Sequence, residues 1–563
     1  MDVAAAVTLP ESTTPEGPAP APARPWWRWF RWADLALVPL AIGVVLFVRR
    51  YAAHAPLWLD EQMIARNIRD RGFGELAGAL DYNQSAPLGW LWAQHALVAV
   101  FGTDEYVLRL LPLLASIGTL VLAWLAGRSW LGPVGAVVLV SFVASNASAI
   151  RYAAEVKQYS GDLLWTMSLL VATMALLERP RPTARQFVWW WSLAAVACLF
   201  SMGAMLATPV FAFVVVATVL LRAGWSAAFR AALPFLIWTA VFAGHYLASL
   251  RHVLSSDYMA TFWGRRGYPP ADGSLRRVAH WSWDRLHVLG VDPLSLAPPG
   301  EGRSHIDTVA PIFWLLVAAG CVAAAWQVRP FGALLAGVVV FAYALAFAEL
   351  VPLYMRMAIW ILPAVYVAVA FGADGAARLA LGAGRAMARG APRTWRTGAV
   401  LTGGVAGAAA ALVVLVMLVP LVVGRVGERP PPPGLDERAA VAWAAGQHRP
   451  GDLTLVLTTS RHAVGWYADD ELEPRRYPVA VSRLPGRPCT GHDIATLVAG
   501  HRRVILYGYY KSAYYTRTAQ RLRADLTAIG TVVADGAFPS AVAIVVELRP
   551  PAGRAPTTGC YQA

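Results

Sequence analysis

The sequence predicts a polytopic α-helical membrane protein that ends in a small α/β domain, and three observations carry that prediction. Hydrophobic residues make up 57% of the 563 positions and charged residues only 15%, against about 25% charged in an average soluble domain. Apolar runs of about 20 residues, the length that crosses a bilayer helically, recur through the first three quarters of the chain. Beyond a proline cluster at Pro430–Pro433 the pattern changes to short apolar strands alternating with helical segments.

The runs fall near 33–50, 106–126, 133–150, 158–177, 187–203, 204–221, 231–250, 309–327, 331–350, 354–373 and 399–424. They give a membrane domain over 33–424 with about eleven spans. Residues 1–32 precede it as a Pro/Ala-rich disordered tail without a signal-peptide pattern, ending in a collar of Trp and Arg that argues for a cytoplasmic N-terminus. A twelfth run, 87–101, is short and carries Gln94 and His95. If it stays on the outer surface, Arg128, Arg179, Arg181, Arg185, Arg222, Arg230, Arg329, Arg378, Arg385, Arg389, Arg393 and Arg396 all fall in inner loops, as the positive-inside rule asks. The first outer loop is then 51–105 and the longest 251–308, with residues 425–563 extracytoplasmic. In that last part 436–447 and 513–529 read as helices, and 453–458, 503–507 and 541–547 as strands. It has neither GxGxxG nor a P-loop, so no nucleotide site is expected there. No internal repeat is found.

The net charge of +14 does not indicate nucleic acid, because the arginines gather in short loops between apolar runs. Of the four cysteines, Cys198 and Cys321 lie in apolar runs and read as packing, whereas Cys489 and Cys560 are able to bridge if the C-terminal part is extracytoplasmic, a pairing that a lone pair of cysteines does not decide.

Ionisable residues beside the spans cluster at their outer ends: Asp60, Glu61, Arg109, Glu155, Lys157, Asp162, His245, Glu349 and Arg356. Carboxylates beside hydrocarbon lose hydration, so the pair Asp60-Glu61 directly after the first span calls for a use. Acidic residues also favour a helix N-terminus, but capping accounts for one of the two. Glu155 is either catalytic or paired with Arg151 or Tyr159, each four positions away. Lys157 is either a phosphate ligand or a snorkelling interface lysine. Arg356, at the outer start of a span, runs against the positive-inside bias and reads as a partner for a phosphate or carboxylate. Tyr258 and Trp263, followed by Arg265, mix aromatics and charge in the longest outer loop and suit either a sugar or lipid head group or simple anchoring.

Taken in order, the motifs carry a resemblance. WLDE (58–61) is followed by N-x-x-x-P-L-G-W (83–90), E-Y-V-L-R-L-L-P (105–112), R-Y-A-A-E-V-K-Q-Y-S (151–160), Y-M-x-x-F-W (258–263) and V-P-L-Y-M-R-x-x-x-W-x-L-P (351–363). Over about 33–373 this series resembles the GT-C glycosyltransferases, in particular the bacterial group similar to protein mannosyltransferases and aminoarabinose transferases. The resemblance implies a transferase using a polyprenyl-phosphate-linked sugar on the outer face, with Asp60 as base and a second acidic position at Glu155, where some relatives have Asp. The site expected on this reading comprises Asp60, Glu61 and Glu155 for catalysis, and Lys157, Tyr159, Arg356 and Arg265 for the donor. Tyr258, Trp263 and His245 are expected to hold the sugar or acceptor. The acceptor is an envelope glycan, lipid or protein. No cofactor is required by these residues, and a divalent metal is neither demanded nor excluded.

The chemistry agrees independently. A glycosidase protonates its leaving alkoxide and so needs two carboxylates. A phosphate is already a good leaving group, so one base for the acceptor hydroxyl suffices, with cations for the departing phosphate. The competing reading is a transporter or flippase of a lipid-linked or envelope precursor, which would more often carry midplane charges and inverted repeats.

Overall fold

A computed structural model describes residues 32–254, 264, 267–270, 273–388, 399–428, 437–468, 471–472, 475–480, 491–510, 512–551, 557 and 559–562. The N-terminal tail, Tyr258, Trp263, Arg265, the proline cluster and Cys489 lie outside the described residues.

The chain is a multi-pass helical membrane protein. Among the described residues seven helical stretches are long and apolar enough to cross a bilayer, with three shorter apolar helices beside them. α1 (Leu37–Ala52) leads by a loop to α2 (Leu59–Asp70), α3 (Leu88–Phe101) and α4 (Glu105–Trp130). α5 (Pro133–Ser145), α6 (Ala147–Tyr152), α7 (Tyr159–Glu178), α8 (Ala184–Phe200), α9 (Met202–Ala232) and α10 (Phe235–His245) follow. After the long loop come α11 (Leu275–Val291), α12 (Arg303–Gln327), α13 (Arg329–Phe347), α14 (Leu362–Ala388) and α15 (Ala399–Gly427).

The stretch Met355–Ala383 is the axis of the bundle: 94% of its apolar window is buried, against 28–67% in the other six. It packs against α5, α7, α12, α13 and α15. Close approach is built into the sequence, since a Cβ on Gly320 of α12 would stand 1.8 Å from Ala368 O of α14.

Three expected spans differ from their sequence limits. The run 133–150 ends as a helix at Ser145, because Asn146 turns the chain. Its Oδ1 accepts from Ala149 N at 2.6 Å, and its Nδ2 donates to Pro293 O, Leu294 O and Tyr366 Oη. A polar side chain with one local and three long-range partners outweighs the apolar pattern around it. The runs 204–221 and 231–250 belong to one long helical stretch, Met202–Leu250, bent at Gly224, whose φ of +79° is left-handed.

α3 has 14 residues and is about 21 Å long at 1.5 Å per residue, short of the roughly 30 Å hydrocarbon core. It packs on α2, α4 and α8. Cysteines placed at Ser85 and Thr103, before and after it, are expected to label from the same side of the membrane; labelling from opposite sides would make α3 a span.

α2 is amphipathic. It buries Glu61, Ile64, Ala65 and Ile68, the i, i+3, i+4, i+7 stripe of a surface helix. Ile64, Ala65 and Ile68 form a small core with Leu57, Trp90, Leu91, Leu108 and Val156, each large apolar side chain contributing about 1.5–3 kcal/mol by burial. This core fixes the helix that carries Asp60.

The C-terminal part holds α16 (Glu437–Gln447), β1 (Leu453–Val456), α17 (Arg461–Tyr467), β2 (Arg475–Arg476), β3 (Val479–Ala480), β4 (Arg503–Tyr509), α18 (Ala513–Ile529), β5 (Gly530–Asp535), β6 (Ala541–Leu548) and β7 (Tyr561–Gln562). Its main sheet runs β2-β1-β4-β6-β5, with β1 parallel to β2 and β4, and β6 antiparallel to β4 and β5. Apolar clusters cover both faces, which is why β4 and β6 read as continuous hydrophobic runs. Cys560 is disulfide-bonded, while Cys198 and Cys321 are free, as their apolar settings led one to expect.

This domain is fastened to the segment between α1 and α4. Leu57 N donates to Tyr467 Oη at 2.8 Å, and Tyr467 Oη donates to Glu105 Oε1 at 3.0 Å. Arg438 pairs with Glu105 at 3.1 Å, and Gln62 Nε2 donates to Glu437 Oε2 at 3.0 Å.

Candidate active site

Three segments far apart in sequence meet above the core of α2: its own N-terminal turn, the loop between α6 and α7, and the 3₁₀ turn Met355–Ile361 that opens the central span. The last is aimed by strain and contact. Met355 holds a left-handed φ of +46°, an uncommon conformation for a side chain with a Cβ. Just before it, Leu353 N donates to Gly267 O at 3.0 Å, and Gly267 lies so close that a Cβ there would stand 2.2 Å from Pro352 Cβ.

Arg356 is thereby brought to Asp60, with Nη1 3.1 Å from Oδ2 and both side chains 23% exposed. Its guanidinium also lies over the ring of Tyr159, 5.7 Å from the centroid. From the α6–α7 loop Lys157 Nζ donates to Gln84 Oε1 at 2.7 Å; Gln84 follows Tyr82 and Asn83, both left-handed. Glu155 Oε1 pairs with Arg151 Nε at 3.1 Å. The pairing that spacing alone allowed for Glu155 is therefore made, through Arg151.

Glu61 is closed off. Its carboxylate takes Arg109 Nε and Nη2 at 2.9–3.2 Å, Trp58 N at 3.1 Å and Val156 N at 2.7 Å, and the side chain is 1% exposed. It caps α2 and ties that helix to the loop bearing Glu155 and Lys157, so its geometry is that of a positioning residue. The capping role thus falls to Glu61 and leaves Asp60 for the pair with Arg356. Glu61→Gln is expected to cost about 3–5 kcal/mol by leaving Arg109 buried without its counter-charge. The check is thermal unfolding of the purified protein. Undiminished stability together with lost activity would place Glu61 among groups that touch substrate.

His245, expected to hold the sugar or acceptor, is buried, and its Nε2 accepts from Leu88 N at 3.3 Å at the N-terminus of α3. Asp162 is likewise occupied, accepting from Ser201 Oγ at 2.7 Å and Gly203 N at 2.9 Å where α9 begins.

Burial, with the Glu61 carboxylate adding to it, pushes the Glu155 carboxyl up to about 7, against the pull of Arg151 and Arg356. Burial brings the Lys157 ammonium down to about 8, opposed by Asp60 and reinforced by Arg356. Among the described residues, Glu155 Oε2, Gln158 Oε1 and Arg356 Nε are buried without a hydrogen-bond partner. Buried polar atoms are normally satisfied, so these three, like other such atoms elsewhere in the chain, keep capacity for a further polar partner.

A second polar cluster, His54, Asp104 and Glu105, has ligand atoms within 4.8 Å of one another. Arg438 enters it, Nη2 3.1 Å from Glu105 Oε1 and Nη1 3.3 Å from His54 Nδ1, so a guanidinium supplies the cation there and the cluster reads as a domain junction.

The sequence reading assigned no role to Arg109, although an arginine inside an apolar span requires a carboxylate partner, nor to Gln84, inside N-x-x-x-P-L-G-W. Arg438, Glu437 and Tyr467 carried no local signal.

No family model and no curated protein matches the chain. Among solved structures it is similar to ArnT from Cupriavidus metallidurans bound to undecaprenyl phosphate, with a TM-score of 0.52 and 14% identity over 93% of this chain and 100% of that one. It is also similar to the archaeal oligosaccharyltransferase AglB from Archaeoglobus fulgidus in complex with an inhibitory peptide and a dolichol-phosphate, with a TM-score of 0.50 and 12% identity over 92% of this chain and 74% of that one. At such identities the likeness is one of architecture: the chain has the GT-C fold that these two proteins share.

Proposed function

We propose that the chain is a membrane glycosyltransferase that moves a sugar from a polyprenyl-phosphate-linked donor to an acceptor hydroxyl on the extracytoplasmic face. The observation that carries this reading is the ion pair of Asp60 with Arg356, flanked by Lys157 and Tyr159: one base and two cations, the set a phosphate leaving group requires. That structural neighbours are described with undecaprenyl phosphate and dolichol-phosphate bound supports the donor class.

In this mechanism the donor phosphate approaches Arg356 and Lys157. As it draws the guanidinium away, the Asp60 carboxylate is freed for the acceptor hydroxyl. Asp60 takes the proton of the acceptor hydroxyl, the acceptor oxygen bonds to the anomeric carbon, and the bond from that carbon to the phosphate oxygen breaks. The electron pair leaves with the polyprenyl phosphate, whose charge Arg356 and Lys157 hold. Glu155 orients Arg151 and offers Oε2 to a sugar hydroxyl. Tyr258, Trp263 and Arg265 remain proposed sugar and donor contacts from the long outer loop.

The test is transfer by the purified protein in liposomes, using polyprenyl-phosphate-linked sugar labelled in the sugar and isolated envelope material as acceptor. Label moving into the acceptor with release of polyprenyl phosphate supports the reading. Label crossing the bilayer still lipid-linked would favour the flippase.

With its pKa near 8, the Lys157 ammonium is present below that pH and lost above it. The donor KM is therefore expected to climb as pH rises through 8. Lys157→Arg, which does not titrate there, should abolish the climb; a climb that persists in this variant would remove Lys157 from the phosphate site.

A further inference from the structure

A cavity of about 400 Å³ opens at the other end of α7 from the candidate active site. Tyr159 is the first residue of this helix, and Leu176 and Leu177, near its last, line the cavity. Twenty helical residues span about 30 Å at 1.5 Å per residue, so the cavity lies at the opposite membrane surface. Its walls are apolar, from Leu176, Leu177, Phe187, Val215 and Val219.

Its mouth is cationic. Arg181 comes from the turn before α8, Arg222 from α9 ahead of the bend at Gly224, and Arg230 from the segment after that bend. Arg222 Nη1 donates to Leu177 O at 2.9 Å and Arg179 O at 3.2 Å, which fixes its guanidinium at the rim. No Asp or Glu lines the cavity among the described residues. The nearby Glu178 accepts from Trp130 Nε1 at 3.1 Å. Past the bend Trp225 and Phe229 are 80% and 67% exposed, the apolar face of a segment lying in the lipid interface.

We infer that this is a binding site for one anionic phospholipid, its phosphate held by Arg181, Arg222 and Arg230 and an acyl chain seated in the cavity. Three guanidinium groups, one from the turn before α8 and two from either side of the bend in α9, without a carboxylate among them, match a lipid phosphate. The apolar chamber behind them matches a hydrocarbon chain and has no use for a soluble anion. The inference stands on residues remote from Asp60 and does not depend on the transferase reading.

The test uses the full-length protein purified in neutral detergent and equilibrium binding of labelled dioleoylphosphatidylglycerol. Each basic residue near a membrane surface is worth roughly a fivefold change in anionic-lipid affinity. Arg181→Ala with Arg230→Ala, both exposed, should therefore weaken binding about 25-fold. Arg179→Ala with Arg185→Ala, the one on the same loop and the other in the first turn of α8 but both outside the lining, should leave it unchanged, and Thr218→Trp should block it sterically without altering a charge. Competition by unlabelled phosphatidylcholine, displacement by inorganic phosphate alone, or an equal loss in the Arg179/Arg185 variant would each overturn the proposal.

Discussion

Asp60→Asn is expected to lower turnover by about 10²–10⁴-fold, the usual contribution of a positioned general base, while the protein folds and binds donor. The amide keeps the size of the carboxylate and can still accept from Arg356, but it cannot take the acceptor's proton. Stability should change little, because the Asp60–Arg356 pair is partly exposed and such pairs contribute only about 0–1 kcal/mol. That separates it from Glu61, whose ion pair is sealed and whose loss should register in unfolding. Glu155→Gln should be milder than Asp60→Asn, since Glu155 is engaged by Arg151. If Asp60→Asn turns over normally while Glu155→Gln is dead, the base is Glu155.

Arg356→Ala should lower kcat/KM for the lipid-linked donor by about 10²–10³-fold, as expected for a group facing charge that develops on a leaving phosphate. The loss has two parts: the phosphate forfeits a two-pronged donor, and Asp60 forfeits the cation that holds it in place. Arg356→Lys should recover only part, because a point charge replaces a planar fork and no longer stacks on Tyr159. Purified protein with unchanged donor dependence in both variants would exclude Arg356 from the site.

Much of this was legible in the sequence because apolar periodicity and motif order are local signals. WLDE, R-Y-A-A-E-V-K-Q-Y-S and V-P-L-Y-M-R each pointed to a residue that the fold brings to one place, and the helix 513–529 and the strands around Val504 and Val545 fell where their patterns indicated. What escaped was long-range. Glu61 and Arg109 lie 48 positions apart, so adjacency with Asp60 suggested a joint role that tertiary pairing divides. Asn146 stops a helix inside an apolar run because its partners come from 293–294 and 366. β5, with Gly at its start and a register shift between Val532 and Ala534, has too broken an alternation to read as a strand. The bolts from Glu437, Arg438 and Tyr467 to the segment between α1 and α4 join residues more than 360 apart, and no periodicity announces them.

The most direct measurement is mass spectrometry of envelope glycans and lipid-linked sugars in cells that carry the intact gene, lack it, or carry Asp60→Asn. Transfer through Asp60 predicts that the last two share one phenotype: a glycan, lipid or protein lighter by a single sugar, with the matching polyprenyl-phosphate-linked sugar accumulating. An unchanged set of glycans in both, or an Asp60→Asn strain that retains the sugar the null strain loses, would contradict it.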